Sequence, residues 1–305
     1  MNWIFFAIVG HLSNGVAFII DKILLGSAFS RSATYAGLIG IGSAVVFVLA
    51  PFVHVWPFGT QIILSVISGI TFVLALWSFF AALSTSEPSR IVPIVGSLIP
   101  LITLCGSFIF LGERLHERAL FGFFLLIIAT ILLSLGGSGR PSSNAVWLAI
   151  TSAFLFAIAS ITIKAVYDVV GFLGPFIVSR MGALAAAIVI VTLIDPEALI
   201  ELRSIVRPKG ISSKHKQPGK IAALLAVVGQ ACGAVGFVLV QIGAAQGSVS
   251  IVNALQAVQY ALLVLVALAL RSKSKTLLGE EFTRSSLAIK IVALAITAYG
   301  LYLIA

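Results

Sequence analysis

The sequence predicts an all-α polytopic membrane protein, and three observations carry that reading. Of its 305 residues, 60% are hydrophobic and only 10% charged, where a soluble domain carries about 25% charged residues. Mean hydropathy is +1.17. Turn and charge punctuation then cuts the chain into ten apolar stretches of the length that crosses a bilayer, roughly 20 residues each. Lipid offers backbone groups no hydrogen bonds, so the stretches must be helices or a closed barrel. Alternating barrel strands are absent from the sequence, which leaves helices.

The stretches run approximately 3–24, 33–52, 59–82, 90–111, 118–136, 145–166, 173–194, 221–242, 248–270 and 285–304. The first begins Met-Asn-Trp-Ile-Phe-Phe with no Lys or Arg. It therefore lacks the basic start of a cleaved signal peptide and is expected to be retained. Two prolines, Pro93 and Pro100, fall in the fourth stretch. Each removes a backbone donor, which predicts a kinked or broken helix and a hinge there. The connection 195–220 is the one sizeable polar segment. It opens with Asp195-Pro196-Glu197 and holds Arg203, Arg207, Lys209, Lys214, Lys216 and Lys220. This reads as a solvated loop held on the cytoplasmic side, with attraction to anionic headgroups as the sharper alternative.

Counting Lys and Arg gives orientation. Odd-numbered connections and their flanks hold 14 of the 19, and even-numbered connections with the tails hold 3. Positive charge stays on the cytoplasmic side, so the count places the odd connections inside and both termini outside.

Ten stretches divide into five plus five. Leu111-Gly112-Glu113 recurs as Leu278-Gly279-Glu280, and Arg90-Ile91-Val92 is echoed by Ser250-Ile251-Val252. These matches keep their order in both halves, 1–139 and 140–305, the second carrying the basic loop. An odd number of spans per half inserts the halves in opposite senses, a pattern of secondary transporters. The runs Ala81-Ala82-Leu83, Ser89-Arg90-Ile91-Val92-Pro93, Pro100 and Leu111-Gly112-Glu113-Arg114-Leu115 resemble the EamA module of the drug/metabolite transporter superfamily. Ala244-Ala245, Ser250-Ile251-Val252-Asn253 and Leu278-Gly279-Glu280 resemble it more loosely. The resemblance implies ten helices in two inverted five-helix halves around a central cavity. It also implies a carrier of small metabolites, often outward, in the cell membrane. Asn253 and Tyr260 stand where Pro93 and Pro100 would be echoed. Family members usually have cytoplasmic termini, opposite to the charge count.

Polar groups at membrane depth are costly and so mark candidate sites. On the ninth stretch Gln246, Ser250, Asn253 and Tyr260 share a face with Gln256 at its edge, and Gln259 points elsewhere. With Gln230 of the eighth stretch, Asn253, Gln256 and Tyr260 form the main substrate candidates; interhelical hydrogen bonding is the alternative use of the same residues. His11 and Asn14 lie one turn apart in the first stretch. His11 would couple transport to protons if it titrates, or it bonds a neighbouring helix as a neutral ring. The chain lacks the embedded glutamate that defines coupling in the related small multidrug resistance family. Arg180 lies near the centre of the seventh stretch, where a guanidinium suits carboxylate or phosphate and the resemblance supports a substrate role. Structural clamping is its alternative. Ser97 sits within a turn of both prolines. Lys164, Asp168 and Lys290 read as charges reaching the headgroups, and Trp77 as either cavity wall or interface anchor.

Enzyme chemistry finds little footing. His11, His54, His116 and His215 are scattered, no metal-ligand spacing is present, and Cys105 and Cys232 sit in apolar runs. The glycines at 136–139 lack the lysine of a phosphate loop. No cofactor, metal or nucleic-acid partner is expected. A small-molecule substrate and the bilayer are the expected partners, with oligomeric state open. A lipid-linked-substrate flippase or accessory membrane protein is the next reading, and a membrane-embedded enzyme the last.

Overall fold

The computed structural model describes residues 2–24, 31–86, 88–133, 142–206, 220–269 and 284–304. It is helical throughout, with no strand among those residues. The helices are α1 Asn2–Leu24, α2 Ser32–Gly42, α3 Thr60–Thr85, α4 Pro88–Leu111, α5 Glu117–Leu133, α6 Ser143–Val170 and α7 Leu173–Val189. They continue as α8 Pro196–Val206, α9 Lys220–Gln246, α10 Val249–Ala254, α11 Gln256–Ala269 and α12 Arg284–Ile304. Nine spans among the described residues are long and apolar enough to cross a membrane. The remaining expected crossing corresponds to α5, which is 17 residues long. The chain is a multi-pass integral membrane protein.

Several spans depart from plain α-helix. The second continues beyond α2 as a 3₁₀ stretch, Ser43–Phe52, with Pro51 inside it. A proline ring collides with the carbonyl four residues back, and i+3 bonding avoids demanding that carbonyl's helical geometry. The seventh ends in a π turn, Ile190–Ile194. Of the two expected outcomes, a break is not seen: α4 runs as one helix from Pro88 to Leu111, through both prolines. The ninth span, which has neither proline nor glycine between 249 and 269, is the one interrupted, at Leu255.

Packing sorts the chain into two compact units that do not follow the two sequence halves. One comprises Met1–Ala28, Glu113–Ser138 and His215–Ala305, and the other Phe29–Gly112 and Gly139–Lys214. In the first unit α1 packs along α9 and also against α10's continuation, α11, while α5 packs on α12. In the second, α6 packs along α3 and against α4, while α2 packs on α7. The pattern is the same in each. The first helix of one sequence half sits with the third and fourth spans of the other half, as inverted repeats that exchange their leading helices would have it.

Small residues bring the backbones together, as membrane helix contacts require. In the first unit a Cβ on Gly10 would lie 2.8 Å from the Gly236 carbonyl oxygen, and one on Gly122 would lie 2.9 Å from that of Gly300. In the second unit a Cβ on Gly69 would overlap the Ser179 carbonyl. Ile91, Val95 and Ile99 of α4 pack against Ala145, Ala149 and Ala153 of α6, two i+4 ladders in register. Buried hydroxyls add interhelical bonds: Ser68 Oγ donates to the Ala159 carbonyl at 2.8 Å, and Ser152 Oγ to that of Ala75 at 2.9 Å.

Three charged segments differ from expectation. The start of the supposed loop 195–220 is helical as α8, and Arg31 holds it by ion pairs to Asp195 (3.0 Å) and to Glu197. Thr34 bonds Glu201 of the same helix, and Ala198 and Leu202 join a core with Ala33, Ala36, Val191 and their neighbours. Residues 207–219, with most of the basic run, lie outside the described residues. Lys164 pairs with Asp168 at 2.7 Å. Lys290, expected at the headgroups, is only 6% exposed.

Candidate functional site

In the first unit the polar candidates gather on α1, α10 and α11. The α10 start is organised by Ser248, whose hydroxyl accepts the Ile251 N–H at 3.0 Å as an N-cap. Ser250 Oγ donates to Glu113 Oε2 at 2.9 Å, so Glu113 braces that helix start. After one and a half turns the helix stops. Leu255 sits at φ −62° and ψ −9°, and Val258 N–H closes back onto its carbonyl at 2.9 Å. That is an i+3 bond in the middle of a membrane span, flanked by Asn253 and Gln256.

His11 lies beside this interruption. It is buried, and its Nε2 donates to the Val252 carbonyl at 2.9 Å. One ring nitrogen thus bonds a neighbouring helix, and Nδ1 is buried without a hydrogen-bond partner. Asn14 places its Oδ1 against Gly236 of α9, at a helix contact. Gln259, which sequence spacing set aside, borders the His11 ring and packs on Gly15 of α1. Val252 and Gln259 are seven residues apart and share one helix face, which is not the face that carries Asn253 and Tyr260. Asn253 and Gln256 are half-buried, Tyr260 is 8% exposed, and Gln230 is exposed on α9. The structure thus brings His11, Asn253, Gln256 and Gln259 to one interruption. Gln230 stands on a helix that packs with α1 rather than along α11.

In the second unit Arg180 is 3% exposed in α7. Its guanidinium carbon lies 4.8 Å from the centroid of Phe72 on α3 and 5.6 Å from that of Phe176. Nε donates to Ser179 Oγ at 3.3 Å, and that hydroxyl donates to the Phe176 carbonyl at 2.7 Å. Phe172 stacks on Phe176 and borders Tyr167. Ring faces carry negative charge density, so this aromatic box stabilises a cation that water cannot reach. The planar fork of Arg fits between rings as a lysine ammonium does not. Ser97 is buried and donates to the Ile94 carbonyl at 3.3 Å, and Pro100 is buried one turn on. Trp77 packs partly buried beside Phe72 against the core of α2, α3 and α7.

Residues 1–135 match the EamA-like transporter family. That stretch is similar to the family's sequences and makes up under half of the chain. The match takes in α1 to α5, including His11, Asn14, Ser97 and both prolines. A solved crystal structure 22% identical to the chain superposes with a TM-score of 0.64, over 99% of this chain and 95% of that one. It shares the fold of the whole chain, second half included. No curated protein matches the sequence. Among the described residues, no group of three or more His, Cys, Asp or Glu side chains converges to hold a metal.

Proposed function

We propose that this EamA-like protein is a secondary transporter that moves a small polar, zwitterionic or anionic metabolite by alternating access. One observation carries the reading beyond the family: an otherwise apolar span is interrupted at Leu255 between two amide side chains, Asn253 and Gln256. Membrane helices are broken at depth where backbone and polar groups serve a ligand or a wet cavity. Asn253, Gln256 and Tyr260 are the proposed contacts in the first unit, with Gln230 on α9. Within the second unit taken by itself, Arg180, held between Phe72 and Phe176, is the residue suited to a carboxylate or phosphate. The prolines of α4 interrupt its hydrogen-bond ladder without ending the helix, and serve as a point of bending. His11 and Asn14 are helix-contact residues in this reading, and proton coupling through His11 is not part of it.

The test is a thermal-shift screen of the purified protein against amino acids, nucleotides, sugar phosphates and cationic drugs. A ligand that binds only the folded state adds about 2.7 kcal/mol at a hundred times its dissociation constant. A hit from one chemical class, lost in Asn253→Leu and Tyr260→Ala, is the expected result. Shifts undiminished in those variants would remove the α10–α11 contacts from the site.

A second reading has one observation in its favour. Leu132 of α5 with Ala288, Ile289 and Val292 of α12 line an apolar groove of about 220 Å³. That lining suits an acyl chain, as a lipid-linked substrate would present. Stabilisation by lipid-linked sugars in place of water-soluble metabolites would favour it.

A further inference from the structure

An α-helix closes each carbonyl onto the N–H four residues ahead. In an unbroken ninth span the Val252 carbonyl would belong to the Gln256 N–H. The chain instead ends α10 at Ala254, passes through Leu255, and starts α11 at Gln256. The Val252 carbonyl is taken from outside the span by His11 Nε2–H at 2.9 Å. A neutral ring making this bond carries its proton on Nε2. Such a carbonyl is unfavourable in hydrocarbon if left bare, so an external donor changes which backbone conformation is favoured. Nothing in the span's own residues forces the break, since neither proline nor glycine occurs between 249 and 269. The ring reaches its acceptor because α1 approaches its neighbours at glycines. A Cβ on Gly15 would lie 3.0 Å from Leu262 and 3.4 Å from Gln259, both on α11.

We infer that His11 is a positioning residue: its Nε2–H holds the ninth span open at Leu255 and so sets how Asn253 and Gln256 are presented. The positioning role rests on the transport reading, whereas the bond and its effect on the span do not. His11 therefore acts on substrate through the backbone of another helix, without touching it. A donor at this position is required, and a titrating group is not.

Hydrogen–deuterium exchange on ligand-free protein in lipid nanodiscs tests this, comparing wild type, His11→Leu and His11→Gln over residues 250–260. Removing the donor frees the Val252 carbonyl for the Gln256 N–H, so His11→Leu slows exchange at that amide by about tenfold. His11→Gln keeps an N–H donor and retains the wild-type rate. Unchanged exchange in His11→Leu would overturn the inference, as would a glutamine variant that slows like leucine. Faster exchange spread through α1 and α9 would make His11 a packing residue and overturn it equally. Because no substrate is present, the expected exchange pattern with no hit in the thermal-shift screen would count against transport alone.

Discussion

At the scale of single residues, two positions show how side-chain size and shape decide the fold. Gly69 faces the Ser179 carbonyl across the α3–α7 contact, and an added Cβ would also lie 2.6 Å from the Ala183 nitrogen. Backbone cannot yield as a side chain does, so Gly69→Ala must separate the helices. The expected loss is about 3 kcal/mol, the upper end for overpacking, read by thermal unfolding in detergent. Arg180 offers the opposite case, a large group kept in place by flat neighbours. Phe72→Leu removes the nearer ring and should lower stability by about 1 kcal/mol, the scale of a desolvated cation–π contact. Arg180→Lys keeps the charge and loses the stack, so it should destabilise the protein by a similar amount while Phe72 remains. An Arg180→Lys protein as stable as wild type would show that the rings contribute nothing. Arg180 was legible in the sequence as a lone cation within an apolar span. Its aromatic box was not, because Phe72 lies more than a hundred residues away and resembles any other core phenylalanine.

Helices and their connections were legible to very different degrees. Apolar length located the spans because hydrocarbon thickness fixes how many residues a crossing needs. Local rules name only the residues that usually cause interruptions, so the one at Leu255 was not foreseen. Pro93 and Pro100 pointed to the fourth span, which stays helical, whereas Leu255 carries no signal of its own. The difference lies in what neighbours supply, here a histidine 241 residues away in sequence. The α8 helix was missed for a related reason. Charge made 195–220 look like a loop, but Arg31 and Thr34 at the start of the second span hold its acidic face. Part-exposed ion pairs contribute little net stability, about 0–1 kcal/mol. Asp195→Asn with Glu197→Gln should therefore leave the melting temperature nearly unchanged. Trypsin cleavage after Arg203, which sits on that helix, should nonetheless rise several-fold as α8 opens more often. Equal cleavage rates in variant and wild type would show that the apolar contacts of Ala198 and Leu202 suffice to hold it.

For the whole molecule, the charge count and the family habit disagree on which side the ends lie. The count of 14 against 3 is large, and the positive-inside rule works on short connections such as these. A single cysteine at Ser213, within the basic connection, should react with an impermeant maleimide only after the membrane is opened. Labelling of intact cells would reverse the assignment. Leu-Gly-Glu and its order in both halves suggest a division into five plus five. The exchange of leading helices was invisible, since no residue in α1 announces that its neighbour is α9.

That exchange has a consequence for how the chain comes into being. The helix that α1 packs along begins at Lys220, so it leaves the ribosome roughly 10–40 s after α1 at ordinary rates of synthesis. Through that interval His11 has no carbonyl to bond, and the glycine face of α1 meets lipid. The second unit is spared part of this wait, because α6 finds α3 and α4 already made. The first unit is therefore the late one to assemble, and translation of the second half sets its timetable. Residues 1–139 expressed alone should be degraded, whereas co-expression with 140–305 should restore a stable pair recoverable in detergent. Biogenesis of this chain waits for its eighth crossing.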